Sequence, residues 1–125
     1  MSKKQAEVYE NAADFLEKNN WGKGEYYDPA TESYCALGAV GAAKVEMGLN
    51  PVHPLSDASM GWKIETALSG RDIRRLRSHL GKYIGDSELA QASGTAGWND
   101  RPERTKQEVL DFLRFAAKEE MKAEN

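Results

Sequence analysis

Apolar residues recur at three- and four-residue spacing along most of the chain, and the breaks in that rhythm mark where helices end. Over residues 3–19, Val8, Ala12, Phe15, Leu16 and Asn19 form one stripe, widened by Tyr9 and Ala13, with Glu7, Asp14 and Lys18 left for solvent. Asn19-Asn20, Gly22 and Gly24 supply the stop. Between residues 24 and 35 the period changes. Glu25-Tyr26-Tyr27, the turn-rich stretch 28–32 and Ser33-Tyr34-Cys35 predict a short β-hairpin, with Tyr26 or Tyr27 facing Tyr34.

The run from Cys35 to Ala43 carries no polar side chain. A helix apolar on every side either spans a membrane or lies inside a domain. A span needs roughly 20 apolar residues, and Lys44 and Glu46 end this run far short. It therefore predicts a central, fully buried helix. Its small residues Ala36, Gly38, Ala39, Gly41, Ala42 and Ala43 let neighbours approach the backbone closely. After the Gly48 stop, Pro51 and Pro54 impose a loop.

A third helix, capped by Ser56 or Asp57 and running to about residue 68, presents Met60, Ile64, Ala67 and Leu68, with Trp62 on the other side. A fourth covers 71–84. Ile73, Leu76, Leu80 and Ile84 face inward there, with Arg71, Arg74, Arg75, Arg77 and Lys82 outward. Residues 87–92 predict a short helix. Thr105 followed by Glu108 is a capping box for a last helix reaching about residue 121. Its stripe is Val109, Leu110, Phe112, Leu113, Ala116, Ala117 and Met121, and Phe115 falls outside it. The expected fold is mainly α: a single domain, 1–125, of about five helices around the Ala/Gly-rich one, with one short hairpin.

Composition adds few constraints. The chain has 125 residues, 30% charged, with net charge −3. That balance gives no global attraction to nucleic acid or acidic membranes. One cysteine rules out an internal disulfide and fits a reducing cytosol. No hydrophobic segment follows Lys3-Lys4, so no secretory signal is expected.

Three groups of residues carry candidate chemistry. Cys35 precedes a helix start, where unsatisfied N–H groups can lower a thiol's pKa. His53 or His79 would then serve as base, with Asn99 or Asp100 to orient it. The opposing reading makes Cys35 a small buried hydrophobe at a strand–helix join, and we assign no catalytic residue. Cysteine and the two histidines are too scattered for zinc, so no metal or other cofactor is expected. In Trp98-Asn99-Asp100, a polar side chain is expected to bond the turn leading to Thr105 while Trp98 packs on the central helix. The 71–82 segment sets five positive charges against Asp72. It is either a solvated face, a nucleic-acid surface, or a docking patch for an acidic protein.

Several motifs resemble those of a known group. Trp21-Gly22, the Tyr34-Cys35-Ala36-Leu37-Gly38-Ala39 helix start, Trp98-Asn99-Asp100-Arg101-Pro102, Arg104-Thr105, Glu108-Val109-Leu110, Leu113 and Ala116-Ala117 resemble a family of small uncharacterised proteins. Its members come from actinobacteria and their bacteriophages, and it is a domain of unknown function. The resemblance implies a small helical protein of the bacterial cytoplasm, with a phage accessory protein as its source, and no activity. The expected function is non-catalytic protein binding. A host or phage partner would be engaged through Arg71, Arg74, Arg75 and Arg77 with Trp62 or Phe115, because aromatics beside arginines dominate such contacts. Nucleic-acid binding through helix 71–82 is the alternative, and a thiol enzyme using Cys35 the third reading. No membrane partner is expected.

Overall fold

The computed structural model describes residues 2–49 and 59–123. Among them the elements run α1 (Ser2–Lys18), β1 (Asn20–Trp21), β2 (Tyr27–Asp28), β3 (Ser33–Tyr34), α2 (Ala36–Glu46), α3 (Met60–Ala67), α4 (Gly70–Ile84), α5 (Ser87–Asn99) and α6 (Lys106–Ala123). The protein is thus mainly helical, as the periodicity predicts. The expected Ser56 or Asp57 cap and the loop at 50–54 lie outside the described residues; the helix start that is described, α3, is capped by Ser59 Oγ, which accepts from Trp62 N at 3.2 Å.

Every residue of α2 from Ala36 to Ala43 is buried. Both of its glycines have a packing reason. A Cβ at Gly38 would overlap the Tyr26 carbonyl oxygen, and one at Gly41 would come within 2.6 Å of Ile64 Cγ2. The helix therefore gives up local propensity, about 1 kcal/mol per glycine, to let a backbone on one side and a branched side chain on the other reach it. Its neighbours are α1, α3, α5 and the sheet. The expectation that the other helices wrap α2 holds most fully for these. The most extensive helix pair is α1 with α6, and α6 rests on α1 and α4 instead. Val8, Tyr9, Ala12, Ala13 and Leu16 of α1 are buried, as are Val109, Leu110, Phe112, Leu113, Ala116 and Ala117 of α6.

The predicted hairpin is the antiparallel pair β2–β3, in which Tyr27 faces Tyr34 with ring centroids 4.9 Å apart. A third strand was not expected. β1 pairs in parallel with β3, Asn20 opposite Ser33 and Trp21 opposite Tyr34, giving the order β1-β3-β2. Two residues carry no periodic signal, so this strand exists only through its tertiary partners.

Helix ends explain the remaining boundaries. Ser69 and Asp72 form a reciprocal capping box for α4. At its other end Gly85 takes the left-handed φ of 72° that closes the helix. Asp86 then caps α5, which extends past the expected 87–92 to Asn99 with a break at Gly94 (φ 68°). Thr105 N donates to Glu108 Oε1 at 3.0 Å, and Glu108 N to Thr105 Oγ1 at 3.2 Å. That capping box is the one the spacing predicted.

One residue expected on an outward face, Arg75, turns partly inward. Arg75 makes a two-pronged ion pair with Glu120 (2.6 and 2.7 Å), and His79 Nε2 lies 2.6 Å from the same carboxylate. Glu120 is buried, and Met121, placed in the apolar stripe by spacing, is exposed. The swap follows from charge: a carboxylate enters a protein interior when hydrogen-bonded cations meet it there. Similarly, buried Asp72 meets Lys44 Nζ at 2.6 Å and tethers α4 to α2.

These two carboxylates set an acid limit on stability. Burial pushes both upward, but the bonds to Arg75 and His79, and to Lys44 and Ser69, outweigh it and hold both below the usual carboxylate range. A group depressed in the folded state contributes stability above its unfolded pKa and loses it as pH falls through the folded one. Urea midpoints are therefore expected to fall once pH drops below about 4.5. Glu120→Gln should be less stable at neutral pH and lose less on acidification. An acid limb equally steep in wild type and Glu120→Gln would contradict this assignment.

Candidate functional site

Asn99 ends α5 and is 0% exposed. Its Oδ1 accepts from Trp21 Nε1 at 2.8 Å and from Ala36 N at 3.0 Å; its Nδ2 donates to Gly22 O at 3.1 Å and Asp100 Oδ1 at 3.0 Å. One amide thus joins β1, the first free N–H of α2 and the end of α5, with all four of its hydrogen-bonding directions used. Asp100 Oδ1 also accepts from Gly24 N at 3.0 Å, and Lys23 Nζ donates to Arg101 O at 2.7 Å.

The turn at 98–100 therefore bonds backbone, as expected, but the backbone of the loop after α1 rather than of the turn leading to Thr105. That second turn is held by Arg104, whose Nε donates to Trp98 O at 3.0 Å while its guanidinium lies 4.1 Å from the Trp98 ring. Trp98 is buried against Phe112 and Tyr83, with centroids 5.2 and 6.2 Å away.

Beside this junction opens a cleft of about 320 Å³. Gly24, Glu25, Tyr26 and Tyr27 form one wall, Gly61 and Glu65 of α3 a second, and Ala96 with Asp100 a third; Cys35 also lines it. Cys35 is 3% exposed, and its Sγ accepts from Gly38 N at 3.4 Å as the cap of α2. Burial pushes its thiol pKa up, Asp100 adds to the rise, and the backbone N–H bonds at the helix start do not offset them. This is the opposite of the activation a thiol nucleophile needs. His79, bound to Glu120 and edge-on to Tyr9 at 5.7 Å, does not line the cleft, and His53 lies outside the described residues. Among the described residues no cluster of three or more His, Cys, Asp or Glu is placed to hold a metal. None of their helices is long and apolar enough to cross a membrane.

The basic face of α4 is only partly available. Arg75 is spent on Glu120, and Lys82 on Glu119 at 2.9 Å. Arg77 is half-buried, its Nε without a hydrogen-bond partner among the described residues. Arg71 and Arg74 remain exposed and form no ion pair with a described residue. Of the two expected aromatic anchors, Trp62 is 40% exposed. Phe115 is half-buried against Tyr83, centroids 5.2 Å apart, and so belongs to the Tyr83–Trp98–Phe112 cluster.

Sequence reasoning brought Cys35 together with Asn99 or Asp100 only in the thiol-enzyme reading, through a histidine base that does not line the cleft among the described residues, and it gave Trp21, Tyr26, Glu25 and Glu65 no role in a site. The available signal was the pairing of two tryptophan motifs, Trp21-Gly22 and Trp98-Asn99-Asp100, which the structure shows to be halves of one junction. A family model described as a family of unknown function (DUF6197) matches residues 1–119. No curated protein and no solved structure matches the chain.

Proposed function

The chain belongs to DUF6197, a family of unknown function, and we propose that this protein acts by binding another protein rather than by catalysis. The contact surface is the exposed start of α4, Arg71 and Arg74, together with Trp62 of α3. One observation carries the reading. Arg71 and Arg74 lie in the first turns of α4, where the helix dipole disfavours positive charge, and no described acidic side chain pairs with them. Helix stability does not account for two arginines there, whereas an acidic partner does. The exposed Trp62 ring supplies the kind of apolar anchor that such interfaces use.

The resemblance of those motifs to a family described from actinobacteria and their bacteriophages supports the finer reading: a phage-encoded accessory protein working on a host or phage protein in the bacterial cytoplasm. The test is affinity capture from host lysate with wild type and with Arg71→Glu/Arg74→Glu. A specific protein recovered by wild type and lost by the double reversal supports the proposal. Equal recovery by both removes this face. Capture of nucleic acid that falls steeply with added salt would replace it with the nucleic-acid reading.

A further inference from the structure

We infer that the arginine surface continues along α4 to Arg77, and that it receives an acidic segment of the partner protein whose carboxylates are spread over about 9 Å, the last of them held at the Nε edge of Arg77. The inference rests on the reading above that this face binds a protein. It adds to that reading a third contact residue and the chemistry of what docks there.

The pattern of pairing along α4 singles out the row. Of its five Lys and Arg side chains, Arg75 and Lys82 turn towards α6 and close on Glu120 and Glu119. Arg71, Arg74 and Arg77 make no ion pair with a described residue. They stand three residues apart, so each is about 4.5 Å further along the helix than the last and turned about 60° around it. The row therefore winds from solvent towards the seam with α5. Exposure follows the winding: Arg71 and Arg74 are exposed and Arg77 is half-buried. One turn beyond Arg77, a Cβ at Gly81 would touch Ser87 and Ala90 of α5.

Arg77 supplies the observation that points to a ligand. Its Nε is buried and donates to no described acceptor. A cationic donor withdrawn from water without an acceptor destabilises the free protein. The fold leaves it so, although the chain carries 20 Asp and Glu against 17 Lys and Arg. A carboxylate brought by a partner satisfies it. The Nε and one Nη of a guanidinium form a two-pronged edge that a carboxylate fits, and Arg75 already shows this geometry on Glu120 at 2.7 and 2.6 Å.

An acidic peptide segment suits the row better than nucleic acid. Three free cations on a chain of net charge −3 are few for a phosphate backbone, whose affinity grows with each phosphate neutralised. Two or three carboxylates satisfy them all.

The experiment adds N-acetylated, C-amidated hexaglutamate to the full chain at low salt and follows the arginine Nε–Hε signals by two-dimensional NMR. Hexaglutamine is the uncharged control and oligothymidylate the nucleic-acid arm. Saturable shifts of the Arg71, Arg74 and Arg77 signals with hexaglutamate, and none with hexaglutamine, are expected. Arg77→Lys keeps the charge and removes the Nε donor, and should weaken binding about tenfold. Arg77→Leu should weaken it at least as much while melting at an equal or higher temperature than wild type, because the unpartnered buried donor is gone. Shifts confined to Arg71 and Arg74 would overturn the extension to Arg77 and leave the protein-binding face standing. No saturable shift at all, or Arg77→Lys binding as tightly as wild type, would also overturn it, and the lysate capture then judges the face on its own. An Arg77→Leu protein that melts several degrees lower would make Arg77 a structural residue and overturn the inference in the same way. Oligothymidylate bound more tightly than hexaglutamate would replace the acidic segment with a nucleic acid.

Discussion

A Gly38→Ala protein is expected to lose about 3 kcal/mol of stability or more, although the change adds a single methyl group and improves helix propensity by about 1 kcal/mol. The methyl would overlap the carbonyl oxygen of Tyr26, with its carbonyl carbon also too close. A flexible side chain can rotate away from such an intrusion; a backbone carbonyl can yield only if the β2 ribbon moves. Residue 38 therefore decides whether the ribbon docks on α2 at all. A loss of that size lowers the melting temperature by roughly 10 °C in a chain this long. Gly41→Ala is the comparison, because its added methyl meets side-chain atoms of Ile64 and Leu68 rather than a backbone carbonyl, and a loss smaller than that of Gly38→Ala is expected. Thermal unfolding of both variants checks the prediction. A Gly38→Ala protein as stable as wild type would mean that the ribbon does not press on the helix.

Replacing Asn99 with leucine should cost about 3 kcal/mol. Leucine keeps the approximate volume but strips the acceptor from Trp21 Nε1 and Ala36 N, and the donor from Gly22 O. Each buried polar group left without a partner costs about 1–3 kcal/mol. Trp21→Phe removes only one of the two donors that Asn99 Oδ1 serves, so its effect should be about a third as large. Denaturant titration measures both losses, and tryptophan fluorescence reports release of β1. If Asn99→Leu and Trp21→Phe were equally mild, the junction would be a consequence of the fold rather than one of its causes. The cleft depends on the same junction, since Asp100 is placed by Asn99 Nδ2 and Gly24 N.

How much of this could be read from the chain differs by element. The apolar run 35–43 announced a buried helix because no arrangement of an all-round apolar helix is stable in water, and its burial is complete from Ala36 to Ala43. The Thr105–Glu108 box was equally legible, since both partners lie within one turn. The α4 face was misread for a physical reason. Spacing places Arg75 on the outer side of its helix, and only the approach of α6 to α4 sets it against the buried Glu120. Likewise nothing local distinguishes Phe115 from an exposed aromatic until Tyr83 is set beside it.

Local information was sufficient wherever the deciding interaction lay within a turn or within a helix's own periodicity. By itself the sequence established the mainly helical class, the buried α2, the β2–β3 ribbon and the cap of α6. The tertiary structure alone decided that β1 exists, that Asn99 ties it to the start of α2, which arginines pair with described carboxylates, and that Glu25, Glu65 and Asp100 line one cleft. Those outcomes depend on groups tens of residues apart. Their mutual orientation carries no periodic trace, because a hydrogen bond or ion pair across the fold constrains one position in each segment and leaves the spacing around it unmarked.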